Sequence, residues 1–189
     1  MRCHWGVGLM LSLCAGLGAA DELATVEPPP GVVIREAHTE LRDDVYYLQA
    51  NIDYRFSRPA LEALEKGVPL TVVMRIEILH ERNYLWSRKV ASLEQRYQIS
   101  FHALSQQYML RNLNSGSQYT FPSLEAAATV LGTVVDLPVI DGNLLEEGGA
   151  YSGRLMAELD VDQLPVPLRL LALVSKDWQL NSAWYTWPL

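Results

Sequence analysis

Two stretches of the chain alternate apolar and polar residues with a period of two, and this pattern limits the fold more than any other feature. In the first, Tyr46, Leu48, Ala50, Ile52, Tyr54 and Phe56 share one side, with Gln49, Asn51, Asp53 and Arg55 on the other. In the second, Leu70, Val72, Met74, Ile76 and Ile78 are interleaved with Thr71, Arg75 and Glu77. Successive side chains of a strand point to opposite faces, so each run reads as a strand with one buried face. Further strands are predicted around Val32–Leu41, Tyr84–Leu93, Arg96–Ala103, Gln107–Leu113, Gln118–Phe121, Val134–Ile140, Arg154–Val161 and Asp177–Trp187.

The breaks between these runs are short and rich in turn formers: Asp43-Asp44, Arg82-Asn83, Asn114-Ser115-Gly116, Asp141-Gly142-Asn143 and Gly148-Gly149. Most are too short for the crossovers that parallel strands need, so the sheets should be antiparallel. Two short helices interrupt the strands. One has Ser57 as N-cap, Pro59 in the first turn and Gly67 as terminator; the other has Ser123 as cap and Gly132 as terminator. Leu164-Pro165-Val166-Pro167 leading into Leu168–Val174 reads equally as a proline-started helix or a buried strand. The expectation is a mainly β protein, an antiparallel β-sandwich immunoglobulin-like in general architecture with two or three short helices. The alternative is a partly open β-barrel.

The N-terminus is of a different kind. Arg2 gives a short positive region, Gly6–Leu17 an apolar one, and Gly18-Ala19-Ala20 a small-residue cleavage site before Asp21, which together read as an export signal over residues 1–20. The alternative is an uncleaved anchor. Residues 21–30 end in Pro28-Pro29-Pro30 and form a stiff spacer, leaving residues 31–189 as one domain. Cys3 and Cys14 both lie in the signal, so the mature part is without disulfides, thiol chemistry or cysteine metal sites, and its core must hold the fold unaided. The formal charge of −7 becomes −8 when the signal and its Arg2 are removed. Such an acidic surface disfavours nucleic acid and anionic lipid as partners, and no strong membrane binding is expected after cleavage.

Three segments carry a resemblance: Arg96-Tyr97-Gln98-Ile99-Ser100-Phe101-His102-Ala103-Leu104-Ser105-Gln106-Gln107-Tyr108, Phe121-Pro122-Ser123-Leu124-Glu125-Ala126, and the closing run from Asp177-Trp178 to Trp184-Tyr185-Thr186-Trp187-Pro188-Leu189. Over nearly all of the mature chain the sequence resembles an uncharacterised proteobacterial family of exported proteins, a domain of unknown function. The resemblance implies a location in the Gram-negative envelope, the periplasm. From the genes that usually neighbour members, it also implies an association with a nitrogen-regulation type sensor kinase. It brings no catalytic residue with it.

The residues supply little chemistry of their own. His38, His80 and His102 fall in separate predicted strands, with no His-x-His or His-Glu-x-x-His spacing to bring two imidazoles onto one ion. No Gly-x-Ser-x-Gly elbow or phosphate-cradling glycine loop occurs. Asp136, Asp141 and Asn143 flank one turn-rich loop and offer oxygen ligands, but the twelve-residue calcium spacing is missing. Neither a metal site nor a cofactor is therefore expected.

Aromatic residues form the one distinctive constellation: Tyr84 with Trp86, and Trp178, Trp184, Tyr185 and Trp187 near the end. As a strand, the last segment puts Trp178, Leu180 and Trp184 on the core face and Tyr185 and Trp187 on the other. Candidate partner-binding residues are thus Trp184, Tyr185, Trp187, Trp86 and Tyr84. The functional expectation is a non-enzymatic interaction module that binds an envelope protein. The alternative is an envelope glycan hydrolase working through two acidic residues.

Overall fold

The computed structural model describes residues 29–82 and 86–189. Residues 1–20, expected to be an export signal, residues 21–28 of the expected spacer, and Tyr84 lie outside the described residues.

The first period-two run is the centre of a three-stranded antiparallel sheet. β1 (Gly31–Arg42) and β2 (Val45–Arg55) form a hairpin, and β7 (Thr133–Asp141) pairs with the other side of β2. The hairpin turns on Asp43 and Asp44, both with positive φ, as a two-residue type I′ connection requires. The second run, β3 (Leu70–Glu81), is inside a six-stranded antiparallel sheet ordered β6-β5-β4-β3-β8-β9, where β4 is Arg88–His102, β5 Gln107–Asn112, β6 Gln118–Phe121, β8 Ala150–Leu159 and β9 Tyr185–Pro188. The two sheets pack face to face around one core: Leu48, Ala50 and Ile52 of β2 meet Val72, Met74, Ile76 and Leu155 of the larger sheet. The mainly β sandwich is what the alternation predicts, and among the described residues no barrel closes.

Helix α1 (Arg58–Glu65) buries Ala60, Ala63 and Leu64; the Ser57 hydroxyl accepts from the Ala60 N–H. Gly67, at φ 86°, ends it by donating to Leu64 while Val68 donates to Ala63, the paired bonds of a Schellman stop. Helix α2 (Leu124–Gly132) starts on a Ser123 cap. Gly132 is here for a reason other than termination: a β-carbon on it would lie 2.0 Å from the Ile52 carbonyl oxygen, so only glycine lets α2 approach β2 this closely. The Leu164–Val174 ambiguity resolves as helix α3 (Val166–Val174).

Two strand boundaries differ from expectation. The predicted strands Tyr84–Leu93 and Arg96–Ala103 are one 15-residue strand, β4, because Glu94 and Gln95 between them form no turn and stay in register with Arg75 and Met74. The predicted strand Asp177–Trp187 is mostly irregular. A 3₁₀ turn spans Lys176–Trp178, a single bridge joins Asn181 to Glu158, and the strand itself is only the four residues Tyr185–Pro188, β9.

Candidate interaction surface

Because Asp177–Leu180 is not a strand, the aromatic faces are not those period two assigns. Trp178 and Leu180 are buried as expected, but the other buried aromatic of the segment is Trp187, 5% exposed, whereas Trp184 is 38% exposed. The expectation that Trp187 shares an open face with Tyr185 is therefore corrected. Trp187 stands opposite Gly153 on β8, and a β-carbon on that glycine would fall 2.4 Å from two ring atoms. The indole lies across the bare backbone, filling the space a side chain would take, and its Nε1 donates to Thr39 Oγ1 on β1 at 3.2 Å. Tyr185 is half-buried and packs against the core.

Trp184 lies on the outer face of the large sheet, where the Arg154 guanidinium carbon is 4.3 Å from its ring centroid. Arg154 belongs to a lattice of charges across β4, β3 and β8. Glu77 accepts from Lys89 at 2.9 Å and from Arg154 at 2.5 Å. Arg75 pairs with Glu94 at 3.3 Å and with Glu158, and Arg96 joins Glu94 at 2.7 Å to Asp160 at 2.9 Å. Arg75–Glu94 and Glu77–Arg154 are directly opposite cross-strand pairs, placed by the polar half of the β3 alternation, whereas Arg96 and Glu94 lie two residues apart on β4. Burial alone would raise the Glu77 carboxyl; its bonds to Lys89 and Arg154 outweigh that and hold it below the usual carboxylate range. Glu94 is likewise lowered, by its bond to Arg96. Both are thus kept ionised, the opposite of what a general acid of a glycosidase needs.

Trp86 is 94% exposed in the β3–β4 connection. That connection lies beyond Glu81 and Ala150, at one end of β3 and β8, whereas Trp184 sits beside Arg154, opposite Glu77, farther along the same strands. The register therefore separates Trp86 from Trp184, and they form no common shelf.

At the other end of the sandwich the sequence reading missed a larger apolar surface. Helix α3 follows β8 and packs through Ala172 and Leu168, leaving Val166, Leu170, Leu171, Leu173 and Val174 between 55% and 84% exposed. Its signal in the sequence is composition without period: nine residues with Arg169 as the sole charge. An amphipathic helix would place polar residues on the outside. Arg169 is no such residue, since it turns back to donate to the Leu164 carbonyl oxygen at 3.0 Å.

Asp136 is not part of a loop ligand set with Asp141 and Asn143. It sits inside β7 at φ 53°, bonded to Arg42 and, at 2.7 Å, to Gln49. Asp141 instead caps the following turn through the Asn143 N–H at 2.9 Å. Among the described residues no three His, Asp or Glu side chains gather as a metal-binding group. Acidic residues do line one groove, of about 440 Å³, which Asp44 of the hairpin turn shares with Glu146 and Glu147 of the β7–β8 connection.

The family model described as a domain of unknown function (DUF4390) matches residues 30–188, the whole sandwich from the end of the spacer to the last strand. The chain belongs to this family. No curated protein and no solved structure matches it. Of the segments that carried the resemblance, the first spans the end of β4 and its turn into β5, the second joins β6 to α2, and the third runs from the 3₁₀ turn at Lys176 through β9. All three border the core, and none surrounds a cleft with paired carboxylates.

Proposed function

We propose that this member of the family is an exported envelope protein without catalytic activity, which docks a partner protein through the outer surface of α3. The observation that carries the reading is the row of five exposed aliphatic side chains on one nine-residue helix. A monomer gains by keeping contiguous apolar patches small, and larger ones mark sites of association. The surface is compact and side chains such as Leu170 and Leu173 sit on a regular element, as an interface core requires. The extracytoplasmic part of a sensor kinase is the partner to try first. Arg154 with Trp184, on the outer sheet face, offers a second and smaller contact.

The test is photo-cross-linking in intact cells from α3, followed by Leu170→Glu and Leu173→Glu in purified protein. Both side chains are exposed, so the substitutions should leave the melting temperature nearly unchanged, since surface changes stay within about 0.5 kcal/mol. They should at the same time abolish capture of the cross-linked partner. The mature protein should begin at Asp21 by mass spectrometry; a mass retaining Met1 would replace export and release by anchoring. The interaction reading fails if α3 cross-links to lipid alone. It also fails if the pure protein hydrolyses envelope glycans and loses that activity with Asp44→Asn and Glu147→Gln.

A further inference from the structure

Strand β2 outruns its neighbour. Its last pairing with β7 is Asn51 with Thr133, yet the strand continues to Arg55. β1 covers one side of these final residues, with Gly31 opposite Arg55. On the other side the Ile52 carbonyl faces Gly132. Peptide groups along a strand point alternately to its two sides, so Tyr54 presents its N–H and C=O on the same side as Ile52. No strand pairs with Tyr54 there among the described residues. What lies there is a cleft of about 530 Å³, walled by Leu124, Ala128 and Thr129 of α2 and by Leu61 of α1. That volume falls in the range of ligand sites, roughly 300–1,000 Å³.

The cleft is also lined by a half-buried cation with one unsatisfied donor. Arg55 lines it together with an adjoining hollow beside Pro30 and Pro59. Its Nε is buried with no hydrogen-bond partner, and it makes no ion pair among the described residues. The nearest acid along the strand, Asp53, is taken by Arg35 through bonds of 2.5 and 2.7 Å. A buried donor on a charged group carries a desolvation cost that an arriving carboxylate removes, and a guanidinium meets a carboxylate with two parallel bonds.

We propose that this cleft binds an extended segment of another protein that carries one acidic side chain. The segment pairs with the Tyr54 peptide groups as a short extra strand, its carboxylate meets Arg55, and its apolar side chains rest on Leu61 and Leu124. The overhang Ile52–Arg55 is about 13 Å long at roughly 3.3 Å per residue, so backbone pairing holds few residues and Arg55 supplies most of the discrimination. Glu125, on the α2 side of the cleft, disfavours a second acid in the segment. The site uses β2, α1 and α2, none of which forms the α3 surface, so the two readings fail separately.

The experiment is a titration of ¹⁵N-labelled protein, in the form the cell leaves it, followed by amide chemical shifts. The probe is acetyl-Thr-Val-Glu-Val-Thr-amide, and the control is the same peptide with Gln in place of Glu. The expected result is saturable shifts of the Tyr54 and Thr129 amides, with the Gln peptide binding at least tenfold more weakly. Arg55→Gln should erase that difference, and Ala128→Trp should fill the cleft and abolish binding of both peptides. If Ala128→Trp fails to fold, Arg55→Gln alone decides. The proposal is overturned by shifts that do not saturate at Tyr54, or by equal binding of the two peptides to the wild-type protein. It is also overturned if residues 21–28 of the same chain are found seated on Arg55, which would make the occupant internal.

Discussion

The substitution Gly153→Ala tests whether Trp187 and the bare backbone beneath it act as one unit. The added β-carbon would stand 2.4 Å from two carbons of the indole, well inside van der Waals contact, so the ring must lift by about 1 Å or the strands must part. The ring cannot lift freely, because its other side is in the core and its Nε1 is bonded to Thr39. Overpacking of this kind costs about 1–3 kcal/mol. Trp187→Ala empties the same space and should cost about 3–5 kcal/mol. If the two changes were independent, the double variant would lose their sum. It should instead lose no more than Trp187→Ala alone, because the methyl group added at position 153 then enters the vacated space and relieves a glycine in a strand, worth about 0.5–1 kcal/mol. The coupling energy is therefore about 1–3 kcal/mol, within the range for residues in contact. Urea unfolding of the four proteins followed by far-ultraviolet circular dichroism measures it, with equal m values required for the comparison. A Gly153→Ala cost that is the same with and without Trp187 would show that the ring and the glycine are not coupled.

Two further changes probe the scaffold. Glu77 has its carboxyl lowered in the folded protein, so its contribution to stability is present above the unfolded value near pH 4.3 and is lost as pH falls through the lower folded value. The difference in urea midpoint between wild type and Glu77→Gln should thus be largest at pH 6–7 and shrink toward pH 3; a gap that stays constant would remove Glu77 from the acid response. Gly132→Ala directs a β-carbon at the Ile52 carbonyl oxygen, where the obstacle is backbone and not a movable side chain, and should cost about 2 kcal/mol or more despite the better helix propensity of alanine. A rise in melting temperature would refute the close approach of α2 to β2.

The parts of this fold that could be read from sequence are those where one local rule acts alone. Alternation in β2 and β3 gives the strands and their core faces, since Leu48, Ala50, Ile52 and Tyr54 are buried in β2 and every second residue from Leu70 to Ile78 in β3, but β3 also buries Thr71, Val73 and Glu77 on its other face, which alternation does not predict. Ser57 and Gly67 mark a helix because capping chemistry is local. The same rule fails at Asp177–Leu189, where a turn at Lys176–Trp178 shifts the phase, so that Trp187 and not Trp184 reaches the core. What fixes Trp187 is a glycine 34 positions earlier, and no pattern within the segment itself reveals that partnership. The candidate surfaces were the least legible part. The exposure of α3 depends on which elements leave it uncovered, and the open end of β2 depends on where β7 stops pairing, and both are decided by tertiary arrangement.

Both sheets are completed late in the chain. β1–β2 and the run β3 to β6 are built from neighbours in sequence, but Val45 receives Asp141 and Val72 receives Leu159. A chain emerging from its N-terminus therefore presents the outer edges of β2 and β3, the two strands that later receive β7 and β8, for as long as those partners are still to come. Contacts of such separation slow folding, and bare strand edges invite pairing with other chains. Under the export proposed above, passage of the chain in an unfolded state, with the C-terminal half arriving before either edge can commit to a wrong neighbour, would suit a topology of this kind better than folding as it emerges.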